Sequence, residues 1–314
     1  MARSRTNLAL FVLVLVAGGF VLSRLDLSAI RRAFAEADWR WASAGVLVNL
    51  AGIVCDAARW RAIVAGVRRV PLLYAIEGLL IGWISNLVLP LKLGEGAKAW
   101  VLARRADIPI ATVVSTVLLD RAVDATSFVA FVALASVLAP LPASAERVRA
   151  WGLVALAGLA VAFVGGRAWI RARRRRGVAA LPRDTRLGRL VAGFAVLGQQ
   201  RRLPPVLGYA LVAWFARMGV VWCVMRAFHL DLPVAAAASV LTILNLGITA
   251  VAVPGNFGVF ELTAAAALAL WHVPGEMGVS FGIALHALEV VPVVAIGLVV
   301  QARAGTAGDG SPVA

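Results

Sequence analysis

Runs of apolar residues about 20 long recur along the chain, separated by short stretches where charge, Pro and Gly collect. At 1.5 Å per residue, about 20 helical residues cross a ~30 Å hydrocarbon core. Six runs are long enough: 7–23, 43–66, 112–139, 150–168, 205–228 and 278–301. Two more, 72–89 and 235–253, each stop at a Pro/Gly break. The spacing is helical and lacks the alternation of a membrane barrel. The pattern therefore predicts an all-α fold, a polytopic transmembrane helical bundle. It would have six full spans plus two Pro/Gly-broken, re-entrant hairpins.

Composition agrees with that pattern. Of the 314 residues 61% are hydrophobic and 15% charged, and mean hydropathy is +0.89. Typical soluble domains have about 45–50% and 25%. So much apolar surface argues against a water-facing enzyme and against disorder. The first run follows Arg3 and Arg5 and has no small-residue cleavage site after it. We read it as a retained anchor, with a signal peptide as the competing reading. Cys55 and Cys223 both lie in apolar runs, with no metal-ligand spacing, and read as packing residues.

Net charge is +15. In a soluble chain this would suggest nucleic acid, but here position decides. Segment 167–202 holds eleven arginines and one acid, Asp184, and so carries +10 of the total. It lies between two spans and lacks interleaved aromatics for base stacking. Positive-inside topology explains it, with an anionic-lipid or nucleic-acid patch as the alternative. The loop and both termini are then expected in the cytoplasm, with no nucleic-acid partner. Segment 72–105 must enter and leave by one face, and its second arm, 95–105, reaches only ~16 Å. A hairpin broken at 90–94 fits. Two full crossings would give the same outer topology.

The chain also matches itself at an offset of about 165 residues. Pro90 and Gly94 match Pro254 and Gly258; Ser115, Arg121 and Asp124 match Ser280, His286 and Glu289. Glu95 corresponds loosely to Glu261, whereas Asn86 and Asn245 fall out of register by five. Chance similarity competes with a true repeat. The expected topology inverts the halves, and inverted repeats with broken segments point to a transporter midplane site. The expected organisation is one transmembrane domain, 1–302. Repeat 1 covers about 43–139 and repeat 2 about 205–302, joined by the basic loop 167–204. A polar tail, 303–314, follows.

Four clusters carry candidate chemistry. Pro90 removes a donor and Gly94 permits a turn, so a helix restarts inside the membrane with N–H groups that suit phosphate. The only two lysines, Lys92 and Lys98, flank this break, with Glu95 between them. They read as phosphate binders or as snorkelling side chains. Asp120, Arg121 and Asp124 lie in an apolar run, where each charge costs about 2.5–3.5 kcal/mol. Arg121 and Asp124 are spaced to pair, as a structural ion pair or a headgroup or proton site. Pro254, Gly255, Gly258 and Glu261 form the second break, as a site or as a surface turn. His286 and Glu289 are three apart and read as a proton-carrying pair or as a satisfied interhelical hydrogen bond. Asp56 and Arg59 have the spacing of a pair, and Arg217 lies inside a span. No catalytic triad, P-loop, zinc motif or dinucleotide fingerprint appears, so no catalytic residue, metal or cofactor is expected.

On Asn86…Pro90-Leu-Lys92-Leu-Gly94-Glu95…Lys98, Asp120-Arg121…Asp124 and Pro254-Gly255…Gly258…Glu261, the sequence resembles the membrane domain of lysylphosphatidylglycerol synthases and related flippase-like proteins. The resemblance covers roughly 8–302. Lys92 and Lys98 stand where that family often has Arg, and His286 departs from its pattern. The resemblance implies a multi-pass inner-membrane protein that moves phospholipids or polyprenyl-linked lipids between leaflets. No aminoacyl-transferase domain is expected in this chain, so lysyl transfer from tRNA is not expected of it. Lys92, Lys98 and Arg121 would neutralise phosphate, and Asp124, Glu95, Glu261, His286 and Glu289 would balance charge or carry protons. Two alternatives stand beside this one. One is a membrane-embedded transferase with a lipid-linked donor and an outer carboxylate such as Asp38 as base. The other is a non-catalytic partner of a lipid-modifying enzyme or glycosyltransferase.

Overall fold

The computed structural model describes residues 27–89, 93–138, 200–251 and 253–308, with isolated positions Val154, Gly158, Gly165 and Thr185. The expected spans 7–23 and 150–168, Pro90, Lys92, loop 140–149, most of the basic loop and residues 309–314 lie outside the described residues.

The described residues are helical and include no strand. A short helix, α1 (Leu27–Glu36), precedes α2 (Trp39–Val64). The first hairpin is α3 (Leu72–Val88) and α4 (Gly94–Ala106), followed by α5 (Ile110–Leu138). Then come α6 (Leu203–Ala227), α7 (Val234–Ala250), a 3-10 turn at Pro254–Asn256, α8 (Val259–Ala269) and α9 (Gly275–Gly308). Three stretches are long and apolar enough to cross a membrane: Trp39–Val64, Leu203–Ala227 and Gly275–Val299. α5 has the length but carries the Asp120–Asp124 charges. The arms α3 and α7 have 17 residues each, about 25 Å, and α4 and α8 are shorter. α9 continues through 303–308, where the sequence suggested only a polar tail.

Lipid offers no hydrophobic drive between helices, so contact depends on small residues that let backbones approach. α2 and α6 cross antiparallel in this way. A Cβ on Gly52 would lie 3.4 Å from Ala216, on Gly219 3.3 Å from Val48 and on Gly45 3.4 Å from Cys223. Within the first hairpin, a Cβ on Gly82 would lie 3.0 Å from the Gly94 carbonyl, and one on Gly94 would overlap the Gly82 carbonyl. In the second half, Gly278 and Gly282 bring α9 onto the α8 backbone at Ala265 and Glu261.

Broken backbone is satisfied locally. Pro292 lies inside α9 and cannot donate to the Leu288 carbonyl one turn back. Asn49 Nδ2 of α2 donates to that oxygen instead, at 3.1 Å. The second hairpin turns on Gly255 and Gly258, at φ +64° and +79°, conformations that glycine adopts without Cβ strain. This turn lies against the end of α3, with Gly255 near the Leu87 carbonyl. The second break therefore packs on the end of the first hairpin's first arm.

Candidate functional site

Charges three or four residues apart share a helix face, and three helices turn such faces toward one point. Arg59 of α2 is fully buried there. Its Nε donates to Asp120 Oδ1 at 2.8 Å and its Nη1 to Asp124 Oδ1 at 2.7 Å, both on α5. Its own helix contributes Asp56 at 3.1 Å. From α4, Lys98 Nζ donates to Asp120 Oδ2 at 2.8 Å and lies 4.3 Å over the Trp60 ring. Arg121 lies 3.3 Å from Asp120, 3.7 Å from Asp124 and 3.8 Å from Glu95. Arg217 of α6 donates to Asp56 Oδ2 at 2.6 Å and stands 3.9 Å from Asp124. Four bases thus meet four acids, which is how buried charge is tolerated in a membrane domain.

This network places several expected site residues in new roles. Lys98, expected to meet phosphate, is 1% exposed and held by Asp120. Arg121 does approach Asp124, but Asp124's shortest bond is to Arg59, from another helix. Gly94 N–H, expected to be free for an anion, donates to Asn86 Oδ1 at 2.8 Å. Arg121 remains the most exposed base of the network, its side chain 40% accessible.

The second half has a smaller arrangement. Glu261 Oε2 accepts from Gly258 N–H at 2.7 Å and caps α8, so this N–H too is taken. Glu261 Oε1 lies 2.7 Å from His286 Nδ1, and Phe260 stacks on the imidazole at 4.4 Å. His286 therefore pairs with Glu261 rather than with Glu289, as its spacing had suggested. Interhelical pairing gives the ring a partner on the helix it packs against, which the same-helix neighbour does not. Nor is Glu261 a solvated turn residue. Glu289 has no hydrogen-bond or ion-pair partner among the described residues.

Glu289 instead lines a cavity of about 220 Å³ between the two halves. Asp56 and Arg217 form one part of its wall and Asn49 and Asn245 another; most of the remainder is apolar, including Phe260. Arg217 Nη1 makes no hydrogen bond; it is buried and faces Asp124 Oδ1 at 3.9 Å. Each asparagine spends its Nδ2 on a backbone carbonyl, Leu288 or Leu241, which leaves the amide oxygen as an acceptor. Small polar sets in apolar walls are the usual form of a binding site. Asp56, Arg217, Asn49 and Asn245 were not among the expected ligands. Asp56, by its spacing to Arg59, and Arg217, as an isolated charge inside an apolar run, stood out in the sequence, but neither pointed to a cavity. Asp38, the base of the transferase reading, accepts from Arg40 N–H at 2.9 Å and caps α2. Among the described residues, no His, Cys, Asp and Glu cluster could hold a metal.

No curated protein and no solved structure matches this chain. The family model described as the lysylphosphatidylglycerol synthase TM region matches residues 7–297, nearly the whole length. That match, together with long apolar helices and buried, paired charge at the quoted motifs, makes this a multi-pass membrane protein. The chain belongs to the lysylphosphatidylglycerol synthase transmembrane-region family.

Proposed function

We propose that the protein moves lipids with an anionic headgroup, a phospholipid or a polyprenyl-linked lipid, between the leaflets of the cell membrane. The observation that carries this reading is the cavity, which offers a cation, Arg217, inside mostly apolar walls. A phosphate there would accept from the Arg217 guanidinium, and headgroup hydroxyls would donate to Asn49 and Asn245. At about 220 Å³ the cavity suits a headgroup and not acyl chains, since pockets for drug-sized ligands run to roughly 300–1,000 Å³. The tails would stay in lipid while the head crosses.

The two halves are read as inverted repeats with re-entrant hairpins. The order and lengths of α2–α5 resemble those of α6–α9, and α2 and α6 cross antiparallel at Gly52 and Ala216. Glu95–Arg121 in one half corresponds to Glu261–His286 in the other. Both termini would be cytoplasmic. Single cysteines placed in 229–234 and 272–277 should then label from outside, and ones in 171–189 only from inside. Labelling of 272–277 from inside removes the inversion.

Transport is tested in liposomes with labelled phosphatidylglycerol and polyprenyl phosphate. Wild-type protein should equilibrate at least one across the leaflets. Arg217→Ala should slow it about tenfold or more, the worth of one charge-assisted hydrogen bond. Rates equal to protein-free vesicles for every lipid would sink the proposal. A new lipid species in extracts of expressing cells would favour the transferase instead.

A further inference from the structure

We propose that headgroup binding in this cavity is coupled to proton uptake on Glu289, so that one proton travels with each anionic headgroup. The inference rests on the transport reading above and adds an energy source to it.

The argument is one of charge in a small, mostly apolar space. The ionisable groups lining the cavity are Asp56 of α2, Arg217 of α6 and Glu289 of α9. α3 contributes Trp83 and Leu87, and α7 contributes Asn245 and aliphatic residues. α8 contributes Phe260, behind which Glu261 is already held by His286. Among the described residues, then, one cation faces two carboxylates. Asp56 and Arg217 neutralise each other at 2.6 Å. Glu289, if ionised, leaves the lining at net −1.

A headgroup phosphate adds a further negative charge. At short range in low dielectric, like charges repel strongly, and one of the two must be neutralised. Arg217 can turn its guanidinium to the phosphate, because Arg59 stays with both acids that Arg217 faces, Asp56 at 3.1 Å and Asp124 at 2.7 Å. Nothing as close serves Glu289, which makes no hydrogen bond or ion pair among the described residues and feels Arg217 and His286 only at longer range. The remaining way to admit the anion is a proton on Glu289. In the step the carboxylate takes one proton from solvent as the phosphate enters, and returns it as the phosphate leaves. No bond other than O–H forms or breaks. Binding free energies are reciprocal, so phosphate favours protonation as much as protonation favours phosphate.

The first test uses the full chain in weakly buffered detergent solution, titrated with short-chain phosphatidylglycerol or short-chain polyprenyl phosphate. Wild-type protein should take up about one proton per lipid bound, and its affinity should rise by up to about tenfold per pH unit lowered while Glu289 titrates. Glu289→Gln, which mimics the protonated side chain, should bind with no proton uptake and no pH dependence over that range. In proteoliposomes an imposed pH gradient should drive wild-type lipid uphill and leave Glu289→Gln at equal distribution. Lipid bound without proton uptake by wild type, or an unchanged pH slope in Glu289→Gln, overturns the coupling and leaves transport standing. If wild-type protein neither binds nor moves any of these lipids at any pH, the transport reading falls and the coupling falls with it.

Discussion

The two halves of the chain handle buried charge differently. On the proposed repeat, Arg121, Asp124 and Glu95 of the first half would correspond to His286, Glu289 and Glu261 of the second. In the first half these residues belong to a network of four acids and four bases around a fully buried Arg59. In the second, one His–Glu pair is closed and Glu289 is left facing a cavity. Dense pairing fixes helices against each other, because separating any pair strands charge in a low dielectric. A sparse site leaves a charge to be answered by something else. Asp56 and Arg217 join the two at the cavity wall.

The sharpest way to break this contrast is at its centre. Arg59→Ala leaves Asp56, Asp120 and Asp124 with their shared cation gone. We expect a loss of about 3–5 kcal/mol, read as failure to purify as a monodisperse species or as a large drop in thermal midpoint in detergent. A nearly normal midpoint would show that the network is not what holds the first half. Lys98→Ala should cost less, about 1–3 kcal/mol, because Asp120 keeps Arg59 at 2.8 Å. His286→Ala removes one partner of Glu261 and the Phe260 stack, while the Gly258 bond survives. About 1–2 kcal/mol is expected, measured by the same melt. Glu289→Gln should be the mildest, within about 0.5 kcal/mol of wild type, since no partner is lost. A Glu289→Gln penalty as large as that of Lys98→Ala would erase the distinction between the halves.

The contrast also explains which readings held at the level of sequence. Breaks at Gly94 and around Pro254–Gly258 were legible, because Pro and Gly act on their own backbone whatever surrounds them. The Asp56–Arg59 pair was legible from spacing on one helix. His286–Glu261 was not, since its partners are 25 residues apart and meet only when α8 folds onto α9. Arg59–Asp120 spans 61 residues and Asp56–Arg217 spans 161, beyond any local rule. For Arg59, Lys98, Asp56 and Asp124 the interhelical partner is nearer than the same-helix one, whereas Arg121 stays nearest its own helix's Asp120.

Sequence alone determined that this is a helical membrane protein, where its helices break and which residues carry charge into the apolar interior. Those properties follow from composition, hydrophobic run length and the covalent habits of Pro and Gly. Only the tertiary structure decided what each buried charge does. Lys98 became an internal counter-ion, Arg217 became the cavity's cation and Glu289 its unpaired acid. In lipid a charge is defined by its nearest opposite, and that neighbour comes from another helix.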